Sequence, residues 1–202
     1  MRLSHAPDAA AAPLSDAAVI EASWREPECF GEIFHRYFQE IRRYIARRLG
    51  TDVADDVAAD TFLAAFRRRK RFDPARGAVR PWLYGIATNF VGQHLRAEQR
   101  VYRMIAKTPA ETSTVGPEDR VTAQVSAGSV RRELAESMAA LSPGDRNVLL
   151  LVALADFTYE EVAMALDLKY GTVASRLNRA RKQLRAALGG VDPTHLTEES
   201  PK

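Results

Sequence analysis

The chain has 202 residues, of which 46% are hydrophobic and 27% are charged, which suits one medium domain or two small ones with real apolar cores. Its single cysteine, Cys29, excludes an internal disulfide and a cysteine-based zinc site, and it indicates a reducing compartment. The net charge is only +3, and the sequence has no run of about 18 apolar residues that would predict a membrane span.

The first 23 residues are mostly small side chains and prolines without helical periodicity. They are rich in alanine, but Asp8 and Pro13 interrupt the run, so it lacks the apolar core of a signal peptide. We therefore expect residues 1–23 to be disordered and the protein to be cytoplasmic.

Three amphipathic helices are predicted in a first domain over residues 24–101. An apolar stripe runs from Phe30 to Leu49 and should end at Gly50. A second helix is predicted over about 53–69, and a third begins near Pro81, a residue suited to a first helical turn. This domain is therefore expected to be a small helical bundle.

The third predicted helix carries a polar face beside its apolar stripe. The polar residues recur at steps of four, three and four, and they are Asn89, Gln93, Arg96 and Arg100. The aromatic residues of the same helix are Trp82, Tyr84 and Phe90. Aromatic rings interleaved with cations suit unstacked single-stranded DNA, although aromatic residues at helical spacing are more often part of a core.

The second predicted helix has an acidic side. Its members are Asp52, Asp55, Asp56 and Asp60. The helix dipole favours acids near the N-terminus, and the same residues could form a docking face for another protein. Five consecutive cations follow at residues 67–71, where they either form a solvated helix end or contact phosphates. The sequence leaves these alternatives open.

Periodicity is lost over residues 102–129, which are rich in Thr, Ser and Ala and contain two prolines. We expect a flexible linker there, between two independent domains. Helical spacing resumes in a second domain over residues 130–189, and residues 190–202 should form a loose tail. No strand pattern is present, so the predicted fold class is all-α.

The second domain contains a predicted helix-turn-helix. Thr158 and Glu161 have the spacing of a capping box, which begins a short helix. A turn over residues 167–170 separates it from a last helix over about 171–188. Two short helices joined by such a turn are typical of DNA-binding motifs.

The last helix of this motif is strongly basic and contains no acid. A helix fits the major groove, where Arg can pair with guanine and Asn with adenine. A solvated basic face is the alternative, but the cap, the turn and the lack of acids favour DNA binding. The predicted contacts are Ser175, Arg176, Asn178, Arg179, Lys182 and Arg185, and Arg181 is also expected to be exposed.

Both blocks resemble one family. Residues 30 to 100 are similar to sigma-70 region 2, in which DDVAADTFLAAF resembles region 2.2 and RFDPARGAVRPWLYGIATNFVGQHLRAEQR resembles regions 2.3 and 2.4. Residues 132 to 186, with FTYEEVAMALDLKYGTVASRLNRARKQ, resemble region 4. Because no room remains between them for region 3, the chain resembles the extracytoplasmic-function group of sigma factors.

The resemblance implies a sigma factor that binds core RNA polymerase and directs transcription initiation. The second helix would dock on the coiled-coil clamp of the polymerase large subunit through Asp55, Asp56 and Asp60. The last helix would read the −35 element as duplex. The third helix would read the −10 element as single strand through Trp82, Asn89, Gln93, Arg96 and Arg100. The resemblance leaves open whether an anti-sigma factor holds the protein inactive.

Three positions depart from the family pattern. Ala59 stands where the family often has Gln, so one hydrogen bond to polymerase is expected to be missing. Gln93 stands where Asp is usual, and Ala174 stands where Lys or Arg is common. The last two departures concern the promoter sequence that the protein reads.

Two other functions explain less of the sequence. Residues 55–60 superficially resemble the magnesium-binding motif of isoprenoid synthases, but a second aspartate cluster is lacking. A regulator that binds DNA without joining polymerase would leave the polar and acidic faces of residues 52–100 unexplained. We therefore expect a protein without catalytic residues, cofactor or metal.

Overall fold

The computed structural model describes residues 14–105, 134 and 136–187, without the side chains of residues 76 and 98–105. The predicted all-α class is confirmed, since the described residues contain helices and no strand. The helices are α1 Asp16–Ala22, α2 Phe30–Leu49, α3 Ala54–Arg68, α4 Val79–Ile105, α5 Pro143–Ala155, α6 Tyr159–Leu166 and α7 Tyr170–Ala187.

Helix α1 contradicts the expectation that residues 1–23 are disordered throughout. Val19 and Ile20 are buried where α1 packs against α2. Asp16 forms an ion pair with Arg36 of α2 at 2.7 Å. A helix of seven residues is too short to show a clear period, and its stability comes from these tertiary contacts rather than from propensity.

Three predicted segments lie wholly or largely outside the described residues. They are residues 1–13 of the N-terminus, residues 106–133 of the linker region, and the tail from residue 188. The predicted linker start at residue 102 falls inside α4, which continues to Ile105. The last helix of the first bundle is therefore longer than its apolar stripe predicts.

Helices α2, α3 and α4 form a bundle around one apolar core. The rings of Tyr44 on α2 and Tyr84 on α4 lie 4.8 Å apart, and the Tyr44 hydroxyl shares a hydrogen bond of 2.8 Å with Thr88. Phe62 of α3 packs edge-on against Phe34 of α2 at 5.1 Å. The predicted apolar stripes thus meet in this core and fix how each helix is rotated.

A second bundle contains the helical residues 136–140 together with α5, α6 and α7. The predicted capping box is present, because the Thr158 hydroxyl accepts from Glu161 N at 3.2 Å and the Glu161 carboxylate accepts from Thr158 N at 2.9 Å. Asp167 adopts a left-handed conformation with φ 50°, which ends α6 and turns the chain into α7. The predicted helix-turn-helix therefore forms.

The two bundles pack against each other through α4 and α6. Phe157 of the second bundle packs edge-on against Tyr84 of the first, with centroids 4.9 Å apart. Arg80 of α4 donates a hydrogen bond of 2.8 Å to the Ala155 carbonyl. The sequence predicts two independent domains, whereas the structure joins them in one core.

Candidate polymerase and nucleic-acid interfaces

Helix α7 is anchored by one apolar stripe, and its opposite side is exposed. The stripe comprises Val173, Leu177, Ala180 and Leu184, all of them buried. Successive residues of a helix are rotated by about 100°, so Ser175, Asn178 and Lys182 lie farthest from the stripe. All three are exposed, as predicted, and present hydroxyl, amide and ammonium groups to the surface.

The two arginines predicted to read bases lie on the flank of α7 that faces α5. Arg179 binds Asp145 through Nη2–Oδ1 at 2.9 Å and Nε–Oδ2 at 3.3 Å. These hydrogen bonds hold the pKa of the Asp145 carboxyl below its usual range. Arg176 is half-buried, and its guanidinium lies so close to Gly144 that a Cβ there would stand 2.7 Å from Nη1.

The predicted exposure of Arg181 is wrong. It is half-buried rather than exposed, and within the described part of the chain its Nε is buried without a hydrogen-bond partner. Lys182 and Arg185 are exposed on the outer side, as predicted. The exposed basic surface of α7 is therefore narrower than its composition indicates.

The predicted polar face of α4 is present over the residues whose side chains are described. Asn89, Gln93 and Arg96 are exposed at successive turns of the helix. Trp82 is half-buried and packs against Phe72 at 5.2 Å between ring centroids. The backbone of Arg100 continues α4, and its side chain lies outside the described atoms.

Tyr84 is wrongly predicted to support this polar face. It is buried between the two bundles, where its hydroxyl donates to Glu40 at 3.0 Å. Burial and the nearby Glu40 carboxylate raise the pKa of Tyr84 well above its usual value. Tyr84 is therefore a core residue.

The cations at residues 67–71 differ in their surroundings: one packs against the bundle, and others are exposed beside α4. Arg69 is structural, because its guanidinium lies 3.8 Å from the Phe66 ring and donates to the Phe66 carbonyl at 2.8 Å. Arg68 and Arg71 are exposed and line a groove beside α4. The same groove contains Trp82 and Asn89. Two cations of the run thus lie next to the polar face of α4.

The acidic side of α3 is exposed at Asp55, Asp56 and Asp60. Arg42 of α2 binds Asp55 through both carboxylate oxygens, and these hydrogen bonds lower the pKa of Asp55. Asp56 and Asp60 form no ion pair within the described ranges. The outward negative charge of α3 therefore comes from these two residues.

Two exposed apolar side chains of α2 and α3 escape the sequence prediction. Leu63 is 46% exposed and lies three residues after Asp60, and Phe34 of α2 is 37% exposed. The helical spacing of apolar residues predicts that Phe34 belongs to the buried stripe of α2. Leu63 lies on the otherwise polar side of α3, so its exposure could have been predicted from the sequence. Exposed apolar groups rimmed by charge are typical of protein-docking surfaces.

The family comparisons match both bundles. The Sigma-70 region 2 model matches residues 33–101, and the Sigma-70, region 4 model matches residues 131–184. The ECF RNA polymerase sigma factor SigC of Mycobacterium tuberculosis is 30% identical over 161 residues, which cover 79% of this chain and 81% of SigC. The chain belongs to the sigma-70 family of RNA polymerase sigma factors. Its predicted assignment to the extracytoplasmic-function group is confirmed.

Solved sigma-factor structures share the fold. The structure of CnrH in complex with the cytosolic domain of CnrY is 28% identical, covers 86% of this chain and 97% of CnrH, and has a TM-score of 0.57. The sigma factor RpoE of Bartonella quintana, solved with the anti-sigma factor NepR, has a TM-score of 0.56 at 21% identity and covers 80% of this chain and 98% of RpoE.

The predicted function is confirmed at the level of the whole protein. As a sigma factor with regions 2 and 4, it binds core RNA polymerase and directs transcription initiation at promoters by recognising −10 and −35 elements. Among the described helices, none is long and apolar enough to cross a membrane. The described residues also contain no cluster of acids, histidines and cysteines that could hold a metal ion.

Proposed function

We propose that this sigma factor divides promoter recognition and polymerase docking among three surfaces: the outer side of α7, the polar face of α4, and the acidic side of α3. The observation that carries the proposal is the burial of each helix's apolar stripe, which leaves these three polar surfaces exposed on rigid supports. A functional surface on a fixed helix needs little ordering when it binds.

The outer side of α7 reads the −35 element in the major groove. Its exposed polar groups and flanking cations are Ser175, Arg176, Asn178, Arg179, Lys182 and Arg185. Asn178 can pair with adenine, and arginine can pair with guanine through two hydrogen bonds. Arg179 gives its Nε–Nη2 edge to the Asp145 carboxylate, so pairing with guanine through that edge requires it to exchange Asp145 for DNA.

The polar face of α4 reads the −10 element as single strand. Trp82 offers a half-buried ring on which a base can stack, and an exposed row follows it along α4. The row comprises Asn89, Gln93 and Arg96, and we assign Arg100 to the same function because the backbone of α4 continues through it. Arg68 and Arg71 in the adjoining groove supply phosphate contacts beside this row.

The acidic side of α3 docks on the polymerase clamp. Asp56 and Asp60 supply negative charge for a basic partner surface, and Leu63, three residues after Asp60 on α3, supplies apolar area next to it. Asp55 contributes less to the partner because Arg42 already neutralises it. The clamp coiled coil of the large subunit is the docking partner that the family implies.

The protein acts by binding and without catalysis of its own, since RNA polymerase performs the chemistry. It works in the cytoplasm, where polymerase and chromosomal DNA are found. CnrH was solved in a complex with the cytosolic domain of another protein, which supports a further partner of the anti-sigma type for this chain.

Run-off transcription with core polymerase and genomic fragments tests the proposal. We expect discrete transcripts only when this chain is added, and loss of those transcripts when Asn89 and Arg96 are both replaced by alanine. A chain that binds DNA but neither binds core polymerase nor supports any transcript would be a conventional regulator, and the proposal would then be wrong.

A further inference from the structure

The first turns of α7 differ chemically from the rest of this helix. Residues 170–175 contain no charged side chain, and the first cation of α7 is Arg176. In a helix-turn-helix, the N-terminal residues of the second helix contact base edges in the major groove. The end of α7 that points at the bases in such a complex is therefore neutral, although the helix as a whole is strongly basic.

Tyr170, the first residue of α7, places an aromatic ring at this end. It is 53% exposed, and its ring packs against the Tyr159 ring of α6 with the two centroids 5.7 Å apart. Tyr159 is half-buried and packs against the apolar core, so it supports the Tyr170 ring from one side. A supported ring that is still exposed can contact a ligand at little cost in ordering.

Ala174 lies one helical turn after Tyr170, and Asn178 lies one turn further. Residues four apart on a helix are neighbours, with Cβ atoms about 5–6 Å apart, so these three residues form one row. Ala174 is half-buried and Asn178 is exposed. The row thus presents an aromatic ring and a methyl group before the amide that the proposed function assigns to adenine.

The exposed hydroxyl beside this row already uses its proton. Ser175 is exposed, and its Oγ donates a hydrogen bond of 3.0 Å to the Thr172 carbonyl. Because a serine hydroxyl has one proton, Ser175 presents only its lone pairs to DNA in this arrangement. It therefore cannot select guanine, or the carbonyl oxygen of thymine, by donating a hydrogen bond.

The methyl group of thymine is the base feature that fits an apolar row. It projects from C5 into the major groove, where apolar side chains contact it. We propose that Tyr170 and Ala174 recognise one thymine of the −35 element through this methyl group. Four residues of a helix rise about 6 Å and base pairs rise about 3.4 Å, so this thymine lies about two base pairs from the adenine paired with Asn178. The inference rests on the proposed assignment of α7 to the −35 element.

Replacement of thymine by deoxyuridine tests the proposal by removing one methyl group. Holoenzyme is formed from the full chain and core polymerase, and it is titrated with a promoter fragment identified by run-off transcription. Each thymine of the −35 element is replaced in turn by deoxyuridine, which pairs with adenine in the same way. We expect one replacement to weaken binding about three- to fourfold, the effect of one buried methyl group.

The outcomes separate this inference from the proposed function. A −35 element without thymine, or equal binding of all the deoxyuridine fragments and the parent, would overturn the methyl contact while leaving the proposed function intact. Promoter binding that does not depend on the −35 element at all would instead contradict the proposed function.

Variants of the row assign the methyl contact to its residues. We expect Tyr170→Ala to reduce the difference between the thymine and deoxyuridine fragments to less than about twofold, since a contact to the methyl group is lost. Tyr170→Phe keeps the ring and removes the hydroxyl, so it should retain the full difference. Ala174→Arg replaces a methyl group by a cation and should abolish the difference. Circular dichroism checks that each variant is folded.

Asn178→Ala is the matched control, because it lies in the same row and leaves both apolar groups in place. It should weaken the thymine and deoxyuridine fragments alike. A difference that persists in both Tyr170→Ala and Ala174→Arg would show that another residue contacts the methyl group. Equal losses of the difference in Tyr170→Phe and Tyr170→Ala would assign the effect to the hydroxyl. Either result would contradict the apolar contact.

Discussion

Arg179 of α7 and Asp145 near the start of α5 form a two-point ion pair, with Nη2–Oδ1 at 2.9 Å and Nε–Oδ2 at 3.3 Å. The Asp145 side chain is 11% exposed and that of Arg179 is 61% exposed. The carboxylate is thus fixed within the bundle and holds an arginine that faces solvent. Because the pair occupies the Nε–Nη2 edge of the guanidinium and fixes its direction, it competes with base recognition through that edge.

Replacement of Asp145 by Asn should therefore strengthen binding to a −35 duplex. The substitution keeps the shape of the side chain, removes one negative charge near the DNA, and releases Arg179. We expect a gain of about 1 kcal/mol, the size usual for a largely solvent-screened pair. Fluorescence anisotropy with a labelled duplex measures it. Asp156→Asn, which removes one charge from an exposed residue of the same bundle, is the control and should change little.

The same gain should disappear when Arg179 is already alanine. If Asp145→Asn strengthened binding equally in the Arg179→Ala background, the effect would come from net charge, and the ion pair would not be its cause.

The same pair should make stability depend on pH in the acid range. The pKa of Asp145 is lowered in the folded state, so its contribution is complete above the unfolded pKa of about 3.9 and is lost as the pH falls through the lower folded pKa. We expect Asp145→Asn to be less stable than wild type at pH 6 and to approach it between about pH 4 and pH 2. Urea unfolding followed by circular dichroism measures the free energy of unfolding of both proteins. A difference between them that stays constant with pH would show that titration of Asp145 is not its cause.

Much of the fold follows from the sequence because the helices are amphipathic and well capped. Gly50 ends α2 with φ 91°, and Thr158 with Glu161 forms the capping box that the spacing predicts. The contact between bundles does not follow, because periodicity identifies an apolar face without identifying its partner. Phe157 fits the local role of a hydrophobic staple, yet it also packs against Tyr84 of the other bundle.

The acidic side of α3 yields a prediction for polymerase binding. We expect Asp56→Lys with Asp60→Lys to weaken core binding by at least about tenfold, because attraction to a basic surface becomes repulsion. The structure favours this pair over a triple exchange, since replacing Asp55 would also break its ion pair with Arg42. Binding of labelled chain to core polymerase measures the effect.

The matched control exchanges Glu21 and Glu26, which are exposed near α1, for lysine. It changes net charge by the same amount away from α3. Equal losses in both double variants would show that overall charge, rather than the α3 surface, governs docking.

The exposed Leu63 should contribute to docking independently of charge. Leu63 is 46% exposed, so Leu63→Ser gives up the buried half of its apolar area and should lower folding stability by about 1 kcal/mol. If the clamp covers it, core binding should weaken by about 1–2 kcal/mol. Thermal unfolding and core binding are measured on the same sample. Unchanged core affinity in a variant that is still folded would place Leu63 outside the interface.

The proposed DNA-reading side of α7 could be predicted from the sequence only in part. Helical spacing correctly places Ser175, Asn178 and Lys182 on the outer side of α7. It does not reveal that Arg176 and Arg179 lie against α5, because their partners Gly144 and Asp145 belong to a helix some 30 residues earlier. Distant ion pairs depend on how helices pack, and a single helix pattern contains no information about them.

Base-reading and phosphate-binding residues of α7 should separate in a salt series. We expect Arg176→Ala and Arg179→Ala to cost about 1–3 kcal/mol on a matched −35 duplex and to reduce selectivity over a scrambled one. Lys182→Ala and Arg185→Ala should weaken both duplexes alike and lower the slope of log affinity against log salt by about one, since each removes one phosphate neutralisation. The contrast arises because guanidinium offers two directed hydrogen bonds to guanine, while the ammonium of Lys182 is a point charge.

The full-length chain is titrated with both duplexes at several salt concentrations. If Arg176→Ala and Arg179→Ala weaken matched and scrambled duplexes equally, those arginines position the helix on the backbone, and sequence reading must then rest on Ser175 and Asn178.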